Sequence, residues 1–153
     1  DLNGMLHFYK IDGITNPLLE EAFINHTQWS SNKAKPIVIK NSNKLEKLFE
    51  SKQTFKGMTA TKGGFYGPQG RVLRLAIEDP YLNNKMDSFN YNEIRISNLE
   101  METSAIYGLS KLLGHQALSL NAIIANRANG TFSKNPDMVV EKLIKYTLDK
   151  LVE

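Results

Sequence analysis

The amino-acid sequence predicts an α/β fold in which strands and helices alternate along one domain. Short apolar stretches with strand-like composition alternate with longer stretches whose apolar residues recur at helical spacing. The 153 residues are 41% hydrophobic and 23% charged, which is typical of a globular domain with a substantial core. The sequence contains no internal repeat and no linker, so we expect residues 1–153 to form a single domain.

Two helix starts are predicted by capping residues. Thr15, Asn16 and Pro17 show the usual order of a cap followed by proline in the first turn. Ser42 or Asn43 can cap a second helix. Further helices are predicted at residues 81–86, at residues 105–113 before Gly114, and at residues 138–152, where the pattern is amphipathic.

Strands are predicted where apolar residues form short runs. The expected extended segments are residues 6–9, 37–39, 55–61, 72–77 and 94–99. Residues 117–125 form a nearly continuous apolar run, which predicts a buried strand in a sheet that is covered on both faces.

Composition excludes several classes of function. The chain has no cysteine, so disulfides and thiolate chemistry are excluded and a reducing compartment is permitted. The expected location is cytoplasmic. No apolar run approaches 18 residues, so no membrane span is expected. The net charge of +3 is small and evenly spread, so nucleic acid is not expected as a partner. His7, His26 and His115 lack the spacing of metal ligands, and no metal site is expected.

Residues 63–71 have the most unusual composition in the chain. Four glycines and a proline within nine residues exclude a regular element, so this segment is a loop. It carries the polar and aromatic side chains of Phe65, Gln69 and Arg71. The loop is either a plain surface turn or a binding loop, and its spacing fits neither the Rossmann nor the P-loop pattern.

Residues 98–104 form a predicted strand-to-helix junction that contains two acids, Glu100 and Glu102. Side chains at such a junction lie at the edge of a sheet, where ligands of α/β proteins usually bind. Local sequence alone favours a simpler role, because a glutamate near the first turn of a helix is stabilised by capping and by the helix dipole.

These segments, taken together, resemble the nucleoside phosphorylase family and most closely its uridine phosphorylases. Phe65-Tyr66-Gly67-Pro68-Gln69-Gly70-Arg71 resembles the family's pyrimidine-binding loop, and Asn98-Leu99-Glu100-Met101-Glu102-Thr103-Ser104 resembles its ribose-binding segment. Leu6-His7-Phe8-Tyr9 resembles the strand that precedes them. The resemblance spans essentially the whole chain.

The resemblance implies a central mixed β-sheet flanked by helices in a three-layer α/β/α arrangement. It also implies that this chain is the C-terminal portion of such an enzyme, because the family's N-terminal segment, with its phosphate-binding loop and arginines, has no counterpart here. We therefore expect an N-terminal companion segment and a homo-oligomer in which subunits share sites. Phosphate is the expected co-substrate, and no cofactor is implied.

The resemblance assigns roles to individual residues. Phe65, Gln69 and Arg71 would bind the base, and Glu100, Met101 and Glu102 would bind the ribose; Ile124 and Asn126 would lie at the edge of the base pocket. A glutamine amide can match O2 and N3–H of uracil while an arginine donates to O4, so this pair can read uracil.

Arg71 and Glu102 are the predicted catalytic residues. A guanidinium near O4 meets negative charge that grows on the departing base, and a carboxylate beside the ribose stabilises positive charge on the sugar.

The expected function is phosphorolysis of uridine to uracil and ribose 1-phosphate by a pentosyltransferase. Purine-directed relatives carry an aspartate where this chain reads Ile124-Ala125-Asn126-Arg127, and an asparagine cannot act as a general acid. The alternatives are a purine nucleoside phosphorylase, a hydrolytic nucleosidase, and a non-catalytic module that binds nucleosides or RNA through Lys62, Tyr66, Arg71 and Arg74.

Overall fold

The computed structural model describes residues 1–126 and 129–152. In this part of the chain the helices are α1 (Pro17–Thr27), α2 (Asn43–Leu48), α3 (Leu82–Asp87), α4 (Thr103–Leu112) and α5 (Pro136–Val152). The strands are β1 (Met58–Thr61), β2 (Asn90–Tyr91), β3 (Ile94–Glu100), β4 (Ala125–Asn126) and β5 (Thr131–Phe132). Single turns of 3-10 helix lie at Met5–Phe8 and Gly67–Gln69.

The central sheet has three strands in the order β1-β3-β2. Strand β1 is parallel to β3, whereas β2 pairs with β3 in antiparallel orientation through a tight hairpin. The sheet is therefore mixed, and helices pack against it, which confirms the predicted α/β class.

A bulge in β3 turns two of its apolar side chains toward the hydrophobic core. The register shifts after the Met58–Ile96 pair, so Ser97 is an extra residue in β3. This shift resets the alternation of side chains, and both Ile96 and Leu99 pack against the buried cluster. Gly57 accommodates the bulge, because a Cβ there would lie 2.0 Å from the Ser97 hydroxyl oxygen.

The hydrophobic core lies where α1 and α3 meet β3. Leu19 and Phe23 of α1 pack with Met86 of α3 and with Phe89, and all four side chains are buried. The rings of Phe23 and Phe89 meet edge to face at a centroid distance of 5.4 Å, a favoured arrangement for aromatic pairs.

The predicted helix starts are confirmed. The Asn16 side chain accepts a hydrogen bond from the backbone N–H of Leu19, and Pro17 is the first residue of α1. Ser42 accepts in the same way from the N–H of Leu45 at the start of α2. Gly114 follows α4 with φ of +74°, the left-handed conformation that ends many helices.

The predicted strand at residues 6–9 is wrong. Met5–Phe8 forms a turn of 3-10 helix that Gly4 starts with φ of +81°, and an Asp1 carboxylate oxygen accepts the backbone N–H of Leu6 at 3.0 Å. Leu6 is fully buried against α4, where a Cβ on Gly108 would lie 2.3 Å from its side chain. Close packing on a helix therefore overrides the extended pattern.

Two other predicted strands are also wrong. Residues 37–39 contribute one isolated bridge, between Ile39 and Thr15. Residues 72–77 form no strand, and Val72, Leu73 and Leu75 are exposed. Neither segment has a neighbouring strand among the described residues with which it could form a ladder.

The apolar run at residues 117–125 is not the buried strand that its composition predicts. Only its last residue is in a strand, β4, which pairs with β5 in a separate two-stranded ribbon. Ile123 and Ile124 are 52% and 43% exposed. Residues 117–124 have no pairing strand in the described part of the chain, so their side chains have no sheet to cover.

Helix α5 confirms the predicted closing helix, but its attachment is sparse. The Tyr146 hydroxyl donates to the carbonyl oxygen of Phe49 at 2.8 Å, and the two rings lie 6.3 Å apart. Ile144 and Leu148 are more than half exposed. Among the described helices, none is both long enough and apolar enough to span a membrane.

Candidate functional site

The loop at residues 63–71 and the junction at residues 101–104 leave the sheet at the same edge. Strands β1 and β3 are parallel neighbours, and their last paired residues are Thr61 and Glu100. The backbone N–H of Lys62 then donates to the Glu100 carbonyl oxygen at 2.9 Å. The carboxyl ends of adjacent parallel strands are where open α/β sheets usually bind ligands. The structure thus brings together the two segments that the sequence singles out.

Glu100 ties this junction together. One carboxylate oxygen accepts a hydrogen bond from the Thr61 hydroxyl at 2.5 Å. The other accepts the backbone N–H groups of Glu102 and Thr103 at 2.7 and 2.6 Å, so it caps the first turn of α4. Burial alone would raise the pKa of Glu100, but these hydrogen bonds outweigh it and hold the pKa below its usual value.

Glu102 has a different environment from Glu100. It precedes the first residue of α4, its side chain makes no capping bond to the helix, and it is exposed. One of its carboxylate oxygens accepts the backbone N–H of Met101 at 3.1 Å. Met101 is itself 39% exposed. A carboxylate and a thioether are therefore accessible at the edge where the two segments meet.

The three predicted base-binding residues form one cluster. The Arg71 guanidinium lies over the Phe65 ring, with its central carbon 3.4 Å from the ring centroid. Its Nη1 donates to the Gln69 side-chain carbonyl oxygen at 3.0 Å and to the Phe65 backbone oxygen. Gln69 is buried, whereas Phe65 is half exposed. The loop therefore holds an aromatic face, an amide and a guanidinium side by side.

Two residues hold this loop on the side that faces α3. The sequence does not mark either of them as a positioning residue. Asn83 of α3 donates to the backbone oxygen of Gln69 at 3.1 Å, and the buried Lys62 ammonium donates to the Asn83 side-chain oxygen at 3.2 Å. Gly70 permits this contact, because a Cβ there would lie 2.2 Å from the Asn83 amide nitrogen and its φ is +78°. A cavity of about 440 Å³ lies between this face of the loop and Trp29.

Thr61 is a third positioning group, and only its place at the end of β1 could have indicated it. Besides donating to Glu100, its hydroxyl oxygen accepts the backbone N–H of Ser104 at 2.9 Å, and the side chain is fully buried. One hydroxyl thus links the end of β1 to the first turn of α4.

The predicted pocket edge at Ile124 and Asn126 is not brought to this site by any described contact. Ile124 is exposed, and Asn126 lies in the β4–β5 ribbon, opposite Thr131. Arg127, which follows them in the predicted segment, lies outside the described residues. Within the described ranges, no group of three histidine, cysteine, aspartate or glutamate side chains could hold a metal ion.

Known proteins are similar to this chain in sequence and in fold. No protein-family model matches the chain. A uridine phosphorylase of Thermococcus kodakarensis is 34% identical over 84 residues, which cover 51% of this chain and 27% of that protein. This chain therefore aligns with about a quarter of the length of that curated relative.

A solved structure is similar over most of this chain. The crystal structure of Trypanosoma brucei nucleoside phosphorylase, described as showing uridine phosphorylase activity, matches with a TM-score of 0.57 and 26% identity. The match covers 86% of this chain and 39% of that one. By sequence and by fold, the chain is therefore similar to part of a nucleoside phosphorylase.

Proposed function

We propose that this chain carries the base and ribose sites of a uridine phosphorylase, an enzyme that converts uridine and phosphate to uracil and ribose 1-phosphate. The observation that supports it most is the parallel pairing of β1 and β3, which places the loop at residues 63–71 beside the junction at residues 101–104. One of the two similar proteins is a uridine phosphorylase, and the other is a nucleoside phosphorylase that shows uridine phosphorylase activity.

The loop provides the chemistry that uracil needs. Gln69 and Arg71 are already hydrogen-bonded to each other, so their planar groups are held side by side before a ligand arrives. The glutamine amide then pairs with O2 and N3–H, and the guanidinium donates to O4. Cytosine would place an amino group against Arg71 and would leave buried polar groups unpaired, which disfavours it strongly.

The reaction breaks the C1′–N1 bond and forms a bond from C1′ to a phosphate oxygen. The electron pair of the broken bond leaves with the base and spreads onto O2 and O4. Arg71 stabilises that charge, which grows only as the bond breaks, so it lowers the barrier and does not merely tighten binding. The exposed Glu102 carboxylate accepts hydrogen bonds from the ribose hydroxyls and stabilises positive charge on the sugar, with Met101 against the ring.

Glu100 has a positioning role in this proposal. Its oxygens accept bonds from Thr61 and from the start of α4, and it thereby fixes the backbone that presents Met101 and Glu102. Phosphate is bound by a companion segment N-terminal to this chain and by a neighbouring subunit of a homo-oligomer. The proposed location is cytoplasmic, the proposed pathway is pyrimidine salvage, and no cofactor takes part.

The activity is tested on this chain together with the N-terminal companion segment that the proposal requires, by following uracil release from uridine by ultraviolet absorbance, with and without phosphate. The proposal expects release only when phosphate is present. Equal release without phosphate would instead show a hydrolytic nucleosidase, and faster phosphorolysis of inosine would show a purine enzyme. Absence of release in every condition by the protein that includes the companion segment would contradict the proposed phosphorylase activity.

The base-reading role of Gln69 is tested by the ratio of affinities for uridine and cytidine. We expect Gln69→Ala to reduce that ratio by about tenfold or more, because one of the two groups that distinguish the bases is lost. A ratio is the right measurement because partial unfolding lowers both affinities equally. Gln53→Ala, at an exposed position outside the loop, is the matched control. An unchanged ratio in Gln69→Ala would dismiss the base-reading role.

A further inference from the structure

A second concave site lies outside the proposed nucleoside site. It is a cavity of about 260 Å³ between the loop at residues 40–44, the second half of α4 and residues 115–117. None of the residues predicted to bind base or ribose lines it. The sequence predicts a helix cap at Ser42 or Asn43 but no binding or catalytic role for any of its lining residues.

The walls of this cavity are joined by hydrogen bonds. The backbone N–H of Ser42 donates to the Ala117 carbonyl oxygen at 2.9 Å, and the Ser42 hydroxyl donates to the Gln116 side-chain oxygen. The third wall is α4, where the Tyr107 hydroxyl accepts the backbone N–H of Ser119 at 2.8 Å. Hydrogen bonds within the chain therefore shape this cavity, and no bound ligand is needed to form it.

All the ionisable side chains of the basic and acidic types that line this cavity are basic. Lys40, Lys44, Lys111 and His115 line it, and no aspartate or glutamate does. The described ion pairs of the chain involve other lysines. Glu46 is close enough to Lys40 for a coulombic interaction, but its carboxylate is already paired with Lys56 at 3.0 Å. Three lysines therefore line one concave surface, and none of them takes part in the described salt bridges.

We propose that this cavity binds an oligophosphate anion, such as the inorganic tripolyphosphate group or the phosphate chain of a nucleotide. Lysine ammonium groups bind phosphate oxygens as compact point charges with three donors each. Three of them around one cavity suit a ligand with several negative charges spaced along a chain. Asn43 and Ser110, which also line the cavity, carry neutral side-chain donors. The volume exceeds the space that a single phosphate fills.

The proposal is tested with inorganic tripolyphosphate and the full chain. Titration followed by backbone amide NMR should shift the signals of residues 40–44 and 110–117, and raising the salt concentration should weaken the binding. Lys111→Gln and Lys44→Gln should each weaken binding about fivefold, because each removes one cation. The matched control is Lys142→Gln, on the exposed surface of α5 and away from the cavity, and it should leave the affinity unchanged.

Three outcomes would overturn the proposal. Orthophosphate that binds as tightly as tripolyphosphate would show that the chain of phosphates is not recognised. Equal weakening in Lys142→Gln and Lys111→Gln would show non-specific attraction to a basic surface. A single-stranded RNA that displaces tripolyphosphate and binds more tightly would assign the surface to nucleic acid.

Discussion

The junction at residues 98–104 and the segment at residues 117–125 differ in how completely their groups find partners. The polar groups of the junction are hydrogen-bonded, whereas apolar side chains of the segment remain exposed. At the junction, the Glu100 carboxylate accepts the N–H groups of Glu102 and Thr103, two and three residues further along, and the Thr61 hydroxyl joins them from the end of β1. In the second segment, Ile123 and Ile124 stay largely exposed. A helix start can complete its own hydrogen bonds locally, whereas a strand needs a neighbour.

The largest expected effect comes from breaking the junction. Glu100→Ala removes the acceptor of three donors, namely the Thr61 hydroxyl and the N–H groups of Glu102 and Thr103. We expect it to lower the free energy of unfolding by about 2–4 kcal/mol, because these partly buried donors lose their partner. Urea denaturation followed by circular dichroism measures the loss.

Glu102→Ala is the control for that experiment. Its carboxylate is exposed and accepts one N–H, so its removal should cost less than about 1 kcal/mol. Equal losses in the two variants would mean that the two carboxylates do not differ in structural role.

A smaller effect is expected from acid. The pKa of Glu100 is lower in the folded state than in the unfolded chain, so the carboxylate stabilises the fold above the unfolded pKa of about 4.5. That contribution is lost as the pH falls through the folded pKa, where the native carboxylate also takes up a proton. The stability difference between the wild type and Glu100→Gln should therefore shrink below about pH 4.5.

Urea midpoints measured from pH 6 down to pH 3 check this expectation. A stability difference that is constant with pH would show that Glu100 does not titrate differently in the two states.

The smallest expected effect comes from the exposed apolar segment. Ile124→Ser should change the free energy of unfolding by no more than about 0.5 kcal/mol, because the side chain is already 43% exposed and has no strand to cover. Ile37→Ser is the matched substitution at a buried isoleucine, which is 4% exposed, and it should cost about 3 kcal/mol or more. A large loss in Ile124→Ser would mean that this segment is packed.

The contrast between these regions explains which elements the sequence could predict. The helix starts at Asn16 and Ser42 were predictable because the capping side chain lies three residues from the N–H that it accepts. Strand β3 was predictable as an element, but its bulge at Ser97 depends on the register with β1. The turn at Met5–Phe8 was not predictable, because it depends on the packing of Leu6 against Gly108, about a hundred residues away.

The candidate site was predictable in part for the same reason. Phe65, Gln69 and Arg71 lie within seven residues of one another, so a single loop could bring them together. The separate roles of Glu100 and Glu102 depend on Thr61, which reaches Glu100 only through the pairing of β1 with β3. Lys62, which directly follows β1, and Asn83 of α3 support the loop, and no local pattern marks them.

The central claim is that the loop at residues 63–71 and the junction at residues 101–104 form one nucleoside site. Titration of the chain with uridine, followed by backbone amide NMR, tests it most directly. We expect the signals of both segments to shift with one common midpoint, and Glu102→Gln to raise that midpoint while the shifts of the loop persist. Shifts confined to one of the two segments, or different midpoints for the two, would contradict a shared site.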